Sequence, residues 1–141
     1  KQLVDELGLQ ESVIFAGFIP DEELGLYYAV ANIMVLVGRE FQRGIPVEGF
    51  GIAYIEANAA ERPVIGSRLG ATPDTIVDGV TGLLVPPDDE DEIAAGIIRL
   101  LVNPDLAKLM GQHGRERVVR EFNWHNQAIR LRQQLTAIGP E

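Results

Sequence analysis

Two hydrophobic rhythms alternate along this chain. Short, nearly continuous apolar runs stand at Val13-Ile14-Phe15-Ala16, Ile33-Met34-Val35-Leu36-Val37, Pro63-Val64-Ile65-Gly66 and Leu83-Leu84-Val85. Such runs, bounded by Gly or Pro, predict buried strands. The run at 33–37 is apolar throughout, which predicts a strand covered on both faces, as in a parallel sheet. Between these runs the spacing turns helical. Leu3, Val4 and Leu7 predict a helix that Gly8 caps. Pro20-Asp21-Glu22-Glu23 opens a second helix, reaching Ala31, with Leu24, Tyr27, Tyr28 and Ala31 turned inward. Residues 38–49 read as a loop, long enough to be functional. A helix follows from Gly51 to Ala60, and Thr72-Pro73-Asp74 caps a short one through Val77. The acidic stretch Asp88 to Glu92 starts a helix with Ile93, Ile97, Leu100 and Leu101 on one face. Asn103-Pro104 starts another, to Glu121, and Asn123 caps the last. Strand and helix alternate, so the pattern predicts an α/β fold: a parallel sheet with helices on both faces.

Composition narrows the function. The 141 residues fit one domain on the usual scale of about 100–200 residues. Hydrophobic residues make up 46% and charged residues 23%, as in an ordinary globular chain. Lys and Arg number 12 against 21 Asp and Glu, a formal net charge of −9, which argues against nucleic acid as a partner. The absence of Cys excludes disulfides, thiolate metal sites and cysteine nucleophiles, and is compatible with a reducing cytoplasm. No apolar run approaches the roughly 18 residues of a membrane span. The acidic run Asp88-Asp89-Glu90-Asp91-Glu92 reads as a solvated helix start rather than a cation site. His113 and His125 lack a metal-ligand spacing and read as surface residues.

In open α/β sheets ligands bind beyond the C-terminal ends of the strands. That rule points to the loop 38–51 and to the loop 66–72. The first holds Glu48-Gly49-Phe50-Gly51-Ile52, followed by Glu56. Two glycines let backbone approach a ligand, and a helix opening at Gly51 offers free N–H groups to phosphate. Glu48 and Glu56 are carboxylates of the kind that accept from vicinal sugar hydroxyls. The constellation matches a nucleotide sugar: sugar, diphosphate, ribose. Arg39, Arg43, Arg62 and Arg68 fall between two long stretches without Lys or Arg, and some of them can neutralise a diphosphate. Phe122 and Trp124 read as packing anchors. Arg115, Arg117 and Arg120 read as a solvated helix face.

From Val13 to Trp124 the order of residues resembles the C-terminal domain of retaining GT-B glycosyltransferases of glycosyltransferase family 4. The matching stretches are Val13 to Pro20, Tyr27 to Leu36, Glu48 to Ala57 with its two glutamates seven residues apart, and Pro63-Val64-Ile65-Gly66. Gly70 to Asp74, Asp78 to Val85 and Phe122-Asn123-Trp124 complete them. The loop before Glu48 is most similar to that of GDP-mannose-dependent lipid mannosyltransferases. The resemblance implies a Rossmann-like, N-terminally incomplete domain over residues 1–141, the donor-binding part of an enzyme that moves a mannose- or glucose-type sugar. Glu48 then grips the donor sugar and stabilises its oxocarbenium-like transition state. Gly49, Phe50, Gly51 and Ile52 contact sugar and diphosphate through backbone amides, and Glu56 grips the ribose. Phe18 and Ile19 lie where the family contacts the base, mainly through backbone, and no metal is required; of the clustered arginines, Arg39 is assigned to the donor site.

The chain departs from the family at Glu61-Arg62-Pro63, where a Gly before the Pro-Val is usual, so the turn there is not expected to rely on an easily reached positive φ. Ala71 and Asp74 also differ. The resemblance further implies that the first strands of the domain and an N-terminal acceptor domain are missing. The segment Lys1–Ala16 is then parted from the other strands, and pairing or strand-swapping with a second copy is an expectation for the isolated chain. A cytoplasmic location is expected, the missing domain leaving a membrane-surface contact open. Two other readings remain. One is a non-catalytic sugar-nucleotide-binding regulatory module. The other, a flavodoxin-like signalling domain, calls for acidic residues where Gly17-Phe18-Ile19 stands.

Overall fold

A computed structural model describes residues 1–41, 45–46 and 50–138. Its centre is a parallel sheet of three strands, β1 (Met34–Leu36), β4 (Val64–Ser67) and β5 (Gly82–Val85), in the order β1-β4-β5. Met34 pairs with Val64, which in turn pairs with Gly82. A short antiparallel pair, β2 (Glu40–Phe41) and β3 (Ile45–Pro46), lies between β1 and the first crossover helix. The helices are α1 (Gln2–Glu6), α2 (Asp21–Val30), α3 (Ile52–Ala59), α4 (Thr72–Thr75), α5 (Glu90–Leu101), α6 (Pro104–Glu121) and α7 (Trp124–Ile138). Among the described residues no helix is long and apolar enough to cross a membrane.

The period-2 alternation of β4 divides the core into two layers. Ile65 faces α5 and α6, where it clusters with Leu83, Val85, Leu100 and Met110. Val64 faces α3, where it meets Tyr54, Ala57 and Ile76. Every residue of β4 is buried. The α/β arrangement with helices on both faces is thus as the hydrophobic pattern predicts.

Several local expectations are corrected. Val13–Ala16 is not a strand. Its Val13 N–H turns back to the Leu9 carbonyl and Ile14 is 91% exposed, and among the described residues no strand lies beside it to take its backbone bonds. β1 is not covered on both faces: Val35 is 40% exposed, since β1 is the sheet's last strand on that side. The loop 38–49 contains the β2–β3 pair. Tyr27 is exposed, whereas Tyr28 is half-buried. Ala71, and not Thr72, is the N-cap of α4, and the Thr72 hydroxyl is buried without a partner. By contrast Gly8 follows α1 at φ +67°, and the Asn123 side chain accepts from the Asn126 N–H at 2.8 Å, both as expected. Asp89 caps α5 by accepting from the Glu92 N–H.

Glu61 adopts φ +59°, so the α3–β4 turn does use the left-handed region, with a side chain in it. That conformation costs a non-glycine residue about 1 kcal/mol or more. Its ion pair with Arg115, 3.5 Å apart with both side chains half-exposed, returns little. Glu61→Gly is therefore expected to stabilise the fold by about 1 kcal/mol, despite the added freedom of the unfolded chain. Urea denaturation of the two proteins measures it; a lower midpoint for the glycine variant would contradict the strain.

Candidate functional site

The crossover from β1 to α3 delivers Phe50, Gly51, Ile52 and Glu56 to the C-terminal end of the sheet. Gly51 is the N-cap of α3 at φ +79°, ψ +49°, a left-handed conformation that suits glycine. A Cβ placed there would lie 2.4 Å from the ring of Tyr54, which is fully buried and donates its hydroxyl to the Leu36 carbonyl. Tyr54 thus ties α3 to the end of β1, and glycine above it lets the chain turn into the helix. The first N–H groups of such a helix carry the positive end of its dipole and favour an anion. Glu48 and Gly49, the residues just before, lie outside the described residues, as does Arg43.

Phe50 is half-exposed, and its ring meets that of Phe122 edge-on at 6.1 Å. The Arg117 guanidinium lies 5.0 Å from the centre of the Phe122 ring. Phe122 is therefore a packing anchor, one that reaches the residue beside the glycine. Trp124 is not: it is 91% exposed. Ile52 is exposed as well.

Glu56 lies one turn into α3 and is solvent-exposed. Its Oε2 accepts a 3.1 Å hydrogen bond from the Tyr28 hydroxyl on α2. Burial, and then the charge and hydrogen bond of Glu56, push the Tyr28 phenol up to about 12. The phenol stays protonated, and remains a donor, throughout the physiological range. Phe18 projects into solvent, 89% exposed, and Ile19 is half-buried; both stand on the stretch that enters α2.

The arginines separate into two ends of the sheet. Arg39 follows β1 and pairs with Asp88 at 3.5 Å and Glu90 at 3.7 Å, so two members of the acidic run are ion-pair partners. Arg68 follows β4, pairs with Asp78 at 3.0 Å and donates to the Leu84 carbonyl. Arg62 precedes β4, at the opposite end of a parallel strand, where it lines a separate recess of about 450 Å³ with Asn32, Pro63, Leu100 and Pro104. It therefore cannot belong to a phosphate site at Gly51.

Arg117 corrects the expectation of a solvated face. Its side chain is only 16% exposed. It donates to the Thr75 carbonyl at 2.6 Å and the Asp74 carbonyl at 2.7 Å, and pairs with Glu121 at 2.8 Å. Arg120 foremost, and Arg117 with it, hold the Glu121 carboxyl below its ordinary range against an opposing effect of burial. Arg115 donates to the Ala59 carbonyl. Only the chain's return through α6 brings these guanidiniums to the orphan carbonyls of α4 and α3, and the sequence gives no periodic signal of it. Among the described residues no group of His, Asp and Glu side chains is arranged to hold a metal ion.

The family profile described as Glycosyl transferases group 1 matches residues 1–117. The chain is 36% identical over 136 residues to the GDP-mannose-dependent alpha-(1-6)-phosphatidylinositol monomannoside mannosyltransferase of Mycolicibacterium smegmatis, covering 96% of this chain and 36% of that protein. Sucrose-phosphate synthase from Thermosynechococcus elongatus superposes with a TM-score of 0.81 at 40% identity, covering 98% of this chain and 34% of that one. The C-terminal domain of a glycosyl transferase group 1 family protein (LpcC) from Francisella tularensis superposes with a TM-score of 0.73 at 31% identity, covering 87% of this chain and 60% of that one. The chain spans about a third of the length of the curated relatives it matches. A sheet order, a glycine-opened crossover helix and a sequence match over most of the chain converge on one lineage: the chain belongs to the glycosyl transferases group 1 family, with the fold of GT-B glycosyltransferases.

Proposed function

We propose that this chain is the donor-binding part of a retaining glycosyltransferase that moves a mannose- or glucose-type sugar from a nucleoside-diphosphate sugar to a hydroxyl acceptor. The observation that carries this reading is the left-handed Gly51 opening α3, with the exposed Glu56 one turn further along the same helix. The amides of Gly49, Phe50, Gly51 and Ile52 receive the diphosphate. Glu48 serves the sugar, Glu56 the ribose, and Phe18 and Ile19 the base. Arg39 assists the diphosphate on release from Asp88 and Glu90. Transfer runs without a required metal, since helix amides and guanidiniums stabilise the departing diphosphate. GDP-mannose is the first donor to assay, in keeping with the name of the Mycolicibacterium smegmatis relative. The acceptor is proposed to be held by the part of the enzyme that such relatives have beyond this match.

Acceptor-dependent release of GDP by the full-length protein tests the reading. Donor binding without acceptor-dependent release would favour a regulatory module instead. Within that protein Glu56→Ala is expected to weaken GDP binding roughly ten- to hundredfold, the usual loss for hydrogen bonds to a charged group. Calorimetry measures it, and an unchanged affinity would remove Glu56 from the ribose.

A further inference from the structure

Glu56 and Tyr28 stand on different helices, 28 residues apart in the chain, yet meet through one hydrogen bond. The bond spans a groove of about 370 Å³ between α2 and α3, lined by Asp21, Leu24, Tyr28, Glu56 and Ala59 among others. Resting on the reading of Glu56 as the ribose ligand, we infer that Tyr28 is a positioning residue for nucleotide recognition: its hydroxyl fixes the Glu56 carboxylate in the orientation that receives the ribose hydroxyls.

The geometry supports this division of labour. A glutamate on an exposed helical turn is free to sample many rotamers, and a ligand that needs one of them must bear the cost of ordering it. Tyrosine has two side-chain torsions and is half-buried here, so it is a stiffer support than the residue it holds. Among the described residues the Tyr28 hydroxyl is the group that bonds the Glu56 side chain. It engages only Oε2, leaving Oε1 and a further lone pair of Oε2 to accept from two hydroxyls. The donor is persistent, because the phenol keeps its proton far above neutral pH. Tyr27, its neighbour on α2, is 47% exposed and supplies the control, having the same chemistry one position along the helix.

The test uses the full-length protein with GDP and UDP, each against its 2′-deoxy counterpart, the tighter-binding base serving as the probe. Tyr28→Phe is expected to weaken binding of the ribonucleotide roughly three- to tenfold, the size of one hydrogen bond. It should weaken the 2′-deoxy nucleotide, which keeps only the 3′-hydroxyl, less than the ribonucleotide, raise KM for the donor in parallel, and leave kcat at saturating donor within about twofold. Tyr27→Phe should change none of these. In a Glu56→Ala background, Tyr28→Phe should add no further loss, because the support then has nothing to orient. Loss of ribose discrimination in Glu56→Ala but not in Tyr28→Phe would overturn the inference and leave the ribose reading standing. Equal weakening of ribo- and deoxyribonucleotide by Tyr28→Phe would also overturn it, marking a tie between helices only. Glu56→Ala without effect on either nucleotide would instead remove the reading on which the inference rests.

Discussion

Glu48→Ala in the full-length protein is expected to lower the rate of sugar transfer roughly 10²–10⁴-fold while leaving the affinity for free GDP almost intact. In the proposed mechanism the sugar carbon gains positive charge as its bond to the diphosphate lengthens. A fixed carboxylate near that carbon interacts more strongly with the transition state than with the resting donor, which is the condition for raising kcat. Losing one such electrostatic partner typically costs factors of this size. Glu48→Gln keeps the shape and much of the hydrogen bonding but not the charge. It should therefore fall nearly as far in kcat and less in donor KM. Steady-state rates with GDP-mannose, paired with GDP calorimetry, separate the two effects. Turnover within a factor of a few of the parent would remove Glu48 from the chemistry, and a parallel loss of GDP affinity would move it from the sugar to the nucleotide.

Gly111→Ala is expected to be strongly destabilising. Gly111 lies in α6 against the α3–β4 turn, and a Cβ there would sit 2.0 Å from the Glu61 carbonyl oxygen and 2.6 Å from its carbon. Those are backbone atoms of a turn already in the left-handed region, so no side chain can rotate aside. The helix must move instead. With it would move Met110 out of the buried cluster and Arg117 away from the end of α4. The expected loss is about 3 kcal/mol or more, at the upper end for overpacking. Gly96→Ala on α5 is the matched control. Its nearest heavy atoms would be at 3.6 Å, an ordinary contact, so helix propensity should make it neutral or stabilising by up to about 1 kcal/mol. Chemical denaturation of the two variants decides the point. Similar midpoints would show that α6 has room to shift at low cost.

The sheet was legible where apolar runs coincide with burial on two sides. Val64 to Gly66 and Leu83 to Val85 are such runs, and both became strands. The same signal at Val13–Ala16 reports only a capacity for burial. A strand also needs a neighbour to take its backbone bonds, and that neighbour is not specified by the strand's own residues. The glycine at position 51 was legible for a different reason: a helix start after glycine is a local event, settled by φ alone. The contacts of Arg117 and Tyr28 were not legible. Apart from Glu121, four residues on, the groups Arg117 meets lie 42 and 43 residues away and the partner of Tyr28 lies 28 away, so these contacts follow from the packing of whole helices and leave no periodicity in the chain. Family likeness pointed to Glu56, but the phenol beside it emerged only from the folded geometry.

The Arg117 contacts also bear on where a working unit of this protein can be cut. Likeness to the family profile ends at residue 117, inside α6. The ring that braces Phe50 belongs to Phe122, and the carboxylate that completes the Arg117 clamp belongs to Glu121. A truncation placed where the profile match ends would thus remove a buttress of the proposed donor loop while leaving both halves of the hydrophobic core in place. The resulting protein would still fold around β4, with the support behind its glycine turn gone. The useful boundary is set by the mechanics of the aromatic contact, several residues beyond the end of the profile match.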